Sequence, residues 1–307
     1  MLTYLLRRAT MAIVVMIVVS IICFILSNVA SDPAVGIAGP QATDADLELI
    51  RKTYGFDRPL PVRYVEYIGN LLQGDFGTSY LARRPALEMI VERLPVTALL
   101  AVLSMLLALA IALPLGCAAA LRPNTIIDRF AQTLAVAGQA IPNFWAGLLL
   151  IIVFGVQLRW LPISGSSTLA HFVLPAITLG TFAMPPLMRL IRAGMMDVLS
   201  SDYIRTARAM GIRPLQLTFK YALKNAVLPV ISLAAVQLGF MLGGSIVVES
   251  IFALNGVGYL AWQSMSRSDM PVIQAIVLLI SMVYIVLTLL ADLLNGLMDP
   301  RLRGSRS

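Results

Sequence analysis

Few residues in this sequence are of a type and spacing that supports catalysis. Ser164, Ser166 and Ser167 lie shortly before the only histidine, His171, and a serine close to a histidine is the start of a nucleophilic dyad. No carboxylate orients this histidine, however. Asp292 is the one aspartate that we place near an apolar run, whereas a paired-aspartate intramembrane protease needs two. An intramembrane hydrolase is therefore the less favoured of our alternatives.

Sequence motifs for metal-dependent or nucleotide-dependent chemistry do not occur. The chain has neither an HExxH pair nor a GxxxxGKS phosphate loop, so we do not expect it to hydrolyse ATP itself. Cys23 and Cys117 both lie in apolar runs without a second thiol nearby, so the sequence indicates neither a disulfide framework nor a thiolate metal cluster. We expect no catalytic residues, no metal site and no cofactor on this chain.

The composition is that of a membrane protein. Hydrophobic residues make up 59% of the chain, charged residues 13%, and the mean hydropathy is +0.85, values that exclude an ordinary soluble globule. The net charge of +7 comes from residues between apolar runs, without a basic patch that alternates with aromatic residues. Membrane lipid is therefore an expected partner, and nucleic acid is not.

Six stretches contain no Asp, Glu, Lys or Arg, and each is long enough to cross a bilayer as a helix. Because backbone polar groups in lipid must be satisfied internally, we predict an all-α polytopic membrane protein with six transmembrane helices. The first run is also too long for the apolar core of a cleaved signal peptide. The stretches are residues 9–31, 94–121, 130–158, 160–188, 225–248 and 270–291.

The basic residues predict the orientation. With a cytoplasmic N-terminus, fourteen Lys and Arg fall on the inner side, whereas the two short outer loops contain only Arg159 and Arg267. We therefore expect both termini in the cytoplasm. The predicted regions are a first transmembrane helix at 1–31, an extracytoplasmic amphipathic segment at 32–93, a membrane core at 94–298 and a cytoplasmic tail at 299–307. Within 32–93 we predict two short helices, at 44–54 and 60–72, with a turn at 55–59.

Residues 203–229 form the one long polar interruption in the apolar C-terminal half. Asp202 is placed to cap a helix that begins at Tyr203, Gly211 suits its left-handed end, and Pro214 suits the first turn of a second helix. We predict a helix-turn-helix hairpin whose second helix has one apolar face and carries Lys220 and Lys224 on the other. The apolar face is Leu215, Phe219, Ala222, Leu223 and Ala226.

This hairpin resembles the cytoplasmic EAA loop of bacterial ABC importer permeases. The resemblance rests on YIRTARAMG at 203–211 and ALKNA at 222–226, followed by a Leu-Pro pair at 228–229. Arg205 stands where the general motif has an acidic residue, and the Leu-Pro pair falls late. Both features are common in the peptide, nickel and glutathione branch. Within that branch the chain resembles the B-type subunit of dipeptide and oligopeptide permeases.

Further segments resemble the same branch in the same order. They are YGFDRPL at 54–60, GDFGTS at 74–79, ESIFALNGVG at 249–258 and DPRLR at 299–303. In the third of these, Asn255 replaces the usual proline, and we expect Asn255-Gly256 to form the turn by itself. The resemblance thus extends over nearly the whole chain.

The resemblance implies a type I importer permease fold in the bacterial inner membrane. It implies a coupling loop, 197–226, and an import function for di- or oligopeptides. The implied partners are a homologous second permease, two ATPases that bind ATP and Mg, an extracytoplasmic solute-binding protein and the peptide. The implied ATPase-coupling residues are Tyr203, Arg205, Thr206, Ala207, Arg208, Ala209, Gly211 and Pro214, and the implied gate or subunit-interface residues are Glu249, Asn255, Gly256 and Gly258.

Two questions stay open at the level of sequence. A proton-coupled secondary transporter is the main alternative to an ATP-driven importer, although the predicted spans are almost empty of the charged residues that relay protons. Segment 32–93 is either a lid on the bundle or a docking surface for the solute-binding protein. The residues do not identify the solute.

Overall fold

The structure is a computed structural model that describes residues 2–30, 33–39 and 41–298. The predicted tail at 299–307 and its DPRLR motif lie outside the described residues. Regular structure in the described part is helical, apart from one isolated antiparallel bridge between Thr78 and Pro85. The helices are α1 Leu2–Ile25, which continues as a π-helix over Leu26–Ala30, α2 Pro33–Ala38, α3 Asp44–Tyr54, α4 Leu60–Leu72, α5 Ala86–Leu121, α6 Ile126–Ala140, α7 Asn143–Leu150 with a π-helix over Ile151–Gln157, α8 Ala170–Leu199, α9 Asp202–Ala209, α10 Pro214–Gln216 with a π-helix over Leu217–Ala222, α11 Leu223–Ala226, α12 Leu228–Gly244, α13 Ile246–Ile251, α14 Val257–Ser266 and α15 Met270–Met298.

Four helices are long and apolar enough to cross a membrane, and two bent helix pairs bring the number to six if each pair forms one span. The all-α polytopic prediction is confirmed. The continuous candidates are Thr10–Asn28, Ala86–Leu121, Ala170–Leu199 and Met270–Leu294, and the bent pairs are Ile126–Ala140 with Asn143–Gln157 (98°) and Pro214–Ala226 with Leu228–Gly243 (54°).

Three predicted spans have the wrong bounds. The stretch 130–158 is broken because Ile141 is extended before Pro142, as a residue preceding proline prefers. The stretch 160–188 begins as irregular chain, and its helix starts only at Ala170 and continues to Leu199. The stretch 225–248 is interrupted at Val227 and again at Ser245. A count of charges locates apolar chain but does not locate helix ends.

The described chain divides into two compact units, and the division falls within α5 and α15. Unit 1 is Met1–Thr97 with Asn255–Ile285, and unit 2 is Ala98–Leu254 with Val286–Ser307. In unit 1, the two short helices predicted in the polar segment are present as α3 and α4. Gly55 ends α3 with a φ of 69°, which explains the turn predicted there.

Helix α4 packs on α1 through aromatic rings. The ring centroid of Phe24 lies 5.3 Å from that of Tyr64 and 5.7 Å from that of Tyr67. Tyr64 Oη also lies 2.8 Å from Ser20 Oγ. On α15, the Gln274 amide donates to the Cys23 carbonyl over 3.1 Å. The first three contacts attach the polar segment to α1, and the last joins α1 to α15.

The loop at 77–85, which contains part of the GDFGTS motif, is fixed by one buried carboxylate. Asp269 accepts from Ser79 Oγ at 2.5 Å and from the Tyr80 backbone N–H at 3.0 Å. Gly77 has a φ of 87°, and a Cβ at this position would approach Pro271 Cβ to 3.3 Å. The motif therefore contributes a glycine that the backbone requires and a serine that binds Asp269.

In unit 2, two glycines of α8 allow the backbones of neighbouring helices to come close. A Cβ on Gly180 would lie 2.9 Å from the Ser104 carbonyl oxygen, and one on Gly194 would lie 3.1 Å from that of Ala226. Such spacing brings helix backbones together without intervening side chains. Because Ala226 belongs to α11, the second arm of the hairpin contacts α8 directly.

Candidate coupling hairpin and gate residues

The hairpin predicted near residues 203–229 is present, and we name residues 202–226 the coupling hairpin. Its first helix, α9, begins at Asp202, with Ser201 in the extended N-cap position. Our prediction that Asp202 is the cap was therefore displaced by one residue. Asp202 instead lies in the first turn, where a carboxylate is favourable near the helix N-terminus, and it forms an exposed 3.2 Å ion pair with Arg205.

The first arm ends in a Schellman motif. The Ile212 N–H donates to the Ala207 carbonyl over 3.3 Å, and the Gly211 N–H donates to the Arg208 carbonyl over 3.0 Å. Gly211 has a φ of 79°, and a Cβ there would meet no atom within 4 Å. The backbone conformation, and not space, therefore requires glycine. Pro214 occupies the first turn of the second arm, as predicted.

The predicted apolar face of the second arm is wrong in part. Leu215 is 73% exposed and Phe219 is 58% exposed, whereas Leu217 and Thr218 are buried together with Ala222 and Ala226. The cause is the π-helix over Leu217–Ala222, whose extra residue in the turn changes which side chains share a face.

A tyrosine joins the two arms. Asn225 Nδ2 of the second arm donates to Tyr203 Oη over 2.8 Å, and Tyr203 Oη reaches the Tyr221 carbonyl at 3.5 Å. On the inner side of α9, Ile204 and Ala207 are buried in unit 2. The hairpin therefore forms one packed body and not two independent helices.

The outer side of the hairpin combines cationic and apolar side chains. Of the eight predicted coupling residues, only Ala207 is buried; Tyr203, Arg205, Thr206, Arg208, Ala209, Gly211 and Pro214 are exposed. Sequence reasoning did not include Met210, which is 70% exposed, and it assigned Leu215 to the inner face. The sequence alone contains no signal for Met210, because its exposure depends on how the two arms pack.

Glu249 is buried within unit 2. It lies in α13 and accepts a 2.8 Å hydrogen bond from Ser245 Oγ, one turn earlier. The other predicted gate residues surround the start of α14 in unit 1, where Asn255 is exposed and Gly256 and Gly258 are buried. The gate or interface role of these four residues stays a prediction.

The turn expected at Asn255-Gly256 lies two residues earlier. Ala253 has a φ of 47°, whereas Gly256 is extended with a φ of −100°. The Leu254 N–H donates to the Glu249 carbonyl over 2.9 Å, and the Ala253 N–H donates to the Ser250 carbonyl over 3.4 Å. This is again the Schellman pattern, with alanine in the position that glycine prefers.

A buried ion pair in unit 2 was missed from the sequence. Asp128 on α6 is 1% exposed and receives two bonds from the Arg192 guanidinium of α8, of 2.7 and 2.8 Å. The Asn124 N–H and Gln132 Nε2 each donate to it over 2.9 Å. Asp292 was thus not the only aspartate near a span. The spacing of Thr125 and Asp128 is that of a helix start and gives no signal for a partner 64 positions away.

The proposed serine-histidine dyad is not formed by the predicted serines. His171 Nδ1 accepts from the Thr168 N–H at 3.3 Å and lies 2.8 Å from Thr168 Oγ1. This geometry resembles a capping box at the start of α8, so the histidine supports a helix end. No group of three or more His, Cys, Asp or Glu side chains suited to a metal ion occurs among the residues that the structure describes.

Comparison with known proteins identifies the class. The family described as "Binding-protein-dependent transport system inner membrane component" matches residues 112–304, and its N-terminal membrane component matches residues 1–101. The chain is 41% identical over 304 residues to the glutathione transport system permease protein GsiC of Salmonella typhi and to that of Escherichia coli, and it covers 99% of both lengths.

Among solved structures, a chain of the MetNI methionine ABC transporter in an inward-facing conformation aligns with a TM-score of 0.58. The alignment has 19% identity and covers 69% of this chain and 97% of that one. This likeness confirms the predicted type I importer fold. The fold and the relatives define a permease subunit of an ABC importer, from the peptide, nickel and glutathione branch.

The chain belongs to the family of binding-protein-dependent transport system inner membrane components. Permease subunits of this family are non-catalytic, and ATP and Mg act on partner ATPases. The chain is therefore a non-catalytic, polytopic inner-membrane subunit of a bacterial importer. The family also implies partners of the ATPase and substrate-binding-protein kinds.

Proposed function

We propose that this chain forms half of the translocation path of an ATP-driven importer for small peptides, and that the coupling hairpin transmits the ATPase cycle to the membrane helices. The observation that carries the coupling role is the hairpin itself, a packed body with an exposed cationic and apolar outer side. The resemblance of the whole chain to glutathione permeases, whose solute is a tripeptide, supports the peptide class.

The packing of the hairpin suits the transmission of force. Ile204 and Ala207 form the buried face of α9, and Ala226 of the second arm lies against Gly194 of α8. Because Tyr203 bonds the two arms together, a displacement of the outer surface moves both arms at once. We propose that closure of the ATPases moves the hairpin with α8 and switches the pathway from inward-open to outward-open.

An external source of energy fits the membrane helices better than a proton relay. Asp128 lies in the first turn of α6, close to the polar turn at 122–125, and its deeply buried carboxylate is paired with Arg192 of α8. A proton-coupled transporter would need titratable groups distributed along the spans. This arrangement supports a structural role for the ion pair and an ATP-driven mechanism for the importer.

The complete assembly contains, in this proposal, a homologous second permease, two ATPases and an extracytoplasmic solute-binding protein. Both termini and the coupling hairpin lie in the cytoplasm, since this orientation places the basic hairpin on the side that the positive-inside rule requires. Residues 32–93 then lie on the extracytoplasmic side. The solute is a di- or oligopeptide, or glutathione.

The coupling role is tested on exposed residues, because a bulky substitution of buried Ala207 would disturb packing as well as docking. Met210→Asp and Leu215→Asp place a charge on the outer surface of the hairpin. We expect ATPase co-purification and peptide uptake to fall at least about fivefold, the loss typical of a contact residue worth about 1 kcal/mol or more. Leu49→Asp, at a comparably exposed leucine of α3, is the matched control.

Membrane insertion is measured in parallel by the amount of full-length chain in the membrane fraction. The coupling role predicts normal insertion for all three variants and a loss of ATPase association only for the two hairpin variants. Association and uptake equal to those of Leu49→Asp would refute it.

A further inference from the structure

A cavity of about 720 Å³ lies within unit 1, in the part of the chain to which the coupling mechanism assigns no task. It is an open cavity lined mainly by the end of α1, the turn at 54–58, α4, the loop at 77–85 and the first turn of α15. This volume lies within the range of about 300–1,000 Å³ that is typical of small-molecule sites.

The polar groups of the cavity wall hold one another in place. The Arg63 guanidinium donates to the Phe56 carbonyl over 3.0 Å and to Asn28 Oδ1, and it lies 5.1 Å from the centroid of the Phe56 ring. Gln274 donates to Ser27 Oγ on the opposite side. A wall of mutually bonded side chains is a preformed surface, which reduces the entropy lost when a ligand binds.

The wall carries a positive charge. Three arginines line it, Arg58, Arg63 and Arg83, against one glutamate, Glu66. Glu66 forms a 2.6 Å ion pair with Arg58, whereas Arg83 has no ion-pair partner among the described residues. Burial raises the pKa of Tyr80 to about 12, so this phenol stays neutral and does not cancel the arginines. An anionic ligand is therefore favoured.

The cavity lies at the ends of two candidate membrane spans. Asn28 is the last residue of the span Thr10–Asn28, and Met270 is the first residue of the span Met270–Leu294. Residues at the end of a span lie at the level of the lipid headgroups, where Tyr and Arg are also typical. A phosphate at this depth is supplied by the membrane itself.

Helix α4 connects the cavity to an apolar surface. Its Tyr64 and Tyr67 pack on α1, while Arg63, Glu66 and Asn70 line the cavity. The remaining face presents Val62, Val65 and Leu72 at i, i+3 and i+10, and Val65 and Leu72 are 70% and 85% exposed. This distribution suits a helix that lies in the membrane interface with its apolar face toward the acyl chains.

We propose that this cavity binds the phosphate headgroup of an anionic phospholipid, with Arg83 and Arg58 as phosphate donors and the acyl chains along the exposed face of α4. The phosphate donors thus lie in the turn before α4 and in the loop at 77–85, beside the helix that supports the acyl chains. A soluble peptide would also meet the arginines, but it would not use the apolar face beside them.

The test measures lipid retained by the purified, delipidated full-length chain in detergent. Palmitoyl-oleoyl phosphatidylglycerol or phosphatidylcholine is titrated in, and bound lipid is counted by native mass spectrometry. We expect preference for phosphatidylglycerol, and an affinity about fivefold weaker in Arg83→Gln, the loss expected for one basic residue near a lipid surface. Arg267→Gln, at an exposed arginine of unit 1 outside the cavity, is the matched control and should bind as the unaltered chain does.

Glu66→Gln supplies a test of opposite sign. Removal of the one negative charge in the wall should tighten phosphatidylglycerol binding, a change that partial unfolding would not produce. Equal affinity for the two lipids, or equal affinity in Arg83→Gln and Arg267→Gln, would overturn the proposal. It would also be overturned if triglycine or inorganic phosphate bound in an Arg83-dependent manner while phosphatidylglycerol did not, because the ligand would then be a soluble anion and not a lipid.

Discussion

The buried pair of Asp128 and Arg192 should be the most sensitive polar contact in unit 2. The Asp128 carboxylate accepts four hydrogen bonds, two of them from the guanidinium. Asp128→Asn keeps the side-chain volume but removes the negative charge. The N–H groups of the new amide would also face the N–H donors that now bind the carboxylate. A hydrogen bond to a charged group contributes about 1.5–3 kcal/mol, and breaking a buried pair costs about 3–5 kcal/mol.

We expect a loss near the lower end of these values, about 2–4 kcal/mol, because the Arg192 side chain is 21% exposed and water can reach its freed donors. For a chain of this size the loss corresponds to a fall in Tm of about 3–6 °C. The Tm of Arg192→Lys should lie between those of Asp128→Asn and the unaltered chain, since lysine keeps the charge but not the paired geometry.

The assay is thermal unfolding of the purified chain in detergent, followed by intrinsic fluorescence. Arg205→Gln is the matched control, since it breaks an ion pair whose two side chains are 79% and 93% exposed and should change Tm by no more than about 1–2 °C. If Asp128→Asn and Arg192→Lys unfold within 1 °C of Arg205→Gln, the pair does not stabilise α6 against α8 and the reasoning is refuted.

Three further substitutions follow from backbone conformation and anchoring. Gly211→Ala should destabilise the chain by about 1–2 kcal/mol in thermal unfolding, because the φ of Gly211 is 79°. Gly69→Ala, inside α4 with open space around its Cβ position, is the control and should leave stability unchanged or raise it. Equal effects of the two substitutions would contradict this explanation. Ala253→Gly should raise stability by about 1 kcal/mol, since alanine adopts the left-handed conformation there, and an unchanged Tm would count against strain at this turn. Asp269→Asn weakens the anchor of the loop at 77–85, so trypsin should cleave after Arg83 faster than in the unaltered chain. An unchanged cleavage rate would show that Asp269 does not hold the loop.

The features that could be predicted from the sequence are those with local causes. Gly211 ends a helix because of its own backbone freedom, and Pro214 begins one because of its fixed φ, so both positions were predicted correctly. The bounds of α3 and α4 also follow from adjacent residues, a threonine cap and a Gly-containing turn. Local signals of this kind need no knowledge of what packs nearby.

The features that failed depend on packing between distant residues. The inner face of the second arm is set by a π-helix, and the predicted α-helical periodicity therefore assigned Leu215 and Phe219 to the wrong side. The ion pair of Asp128 and Arg192 joins residues 64 positions apart, which one sequence cannot reveal. The predicted span 160–188 begins ten residues before the helix at Ala170, because residues 160–169 are uncharged although they are irregular.

Cysteine cross-linking at the hairpin tests the coupling role most directly. In the intact importer, Met210→Cys introduces an exposed thiol at the end of the first arm, while the native Cys23 and Cys117 are buried. We predict that this thiol reacts with maleimide only from the cytoplasmic side, and that it cross-links to the ATPase subunit with a yield that changes when ATP is added. Labelling from the opposite side, or a cross-linking yield no higher than that of Leu49→Cys, would contradict the account.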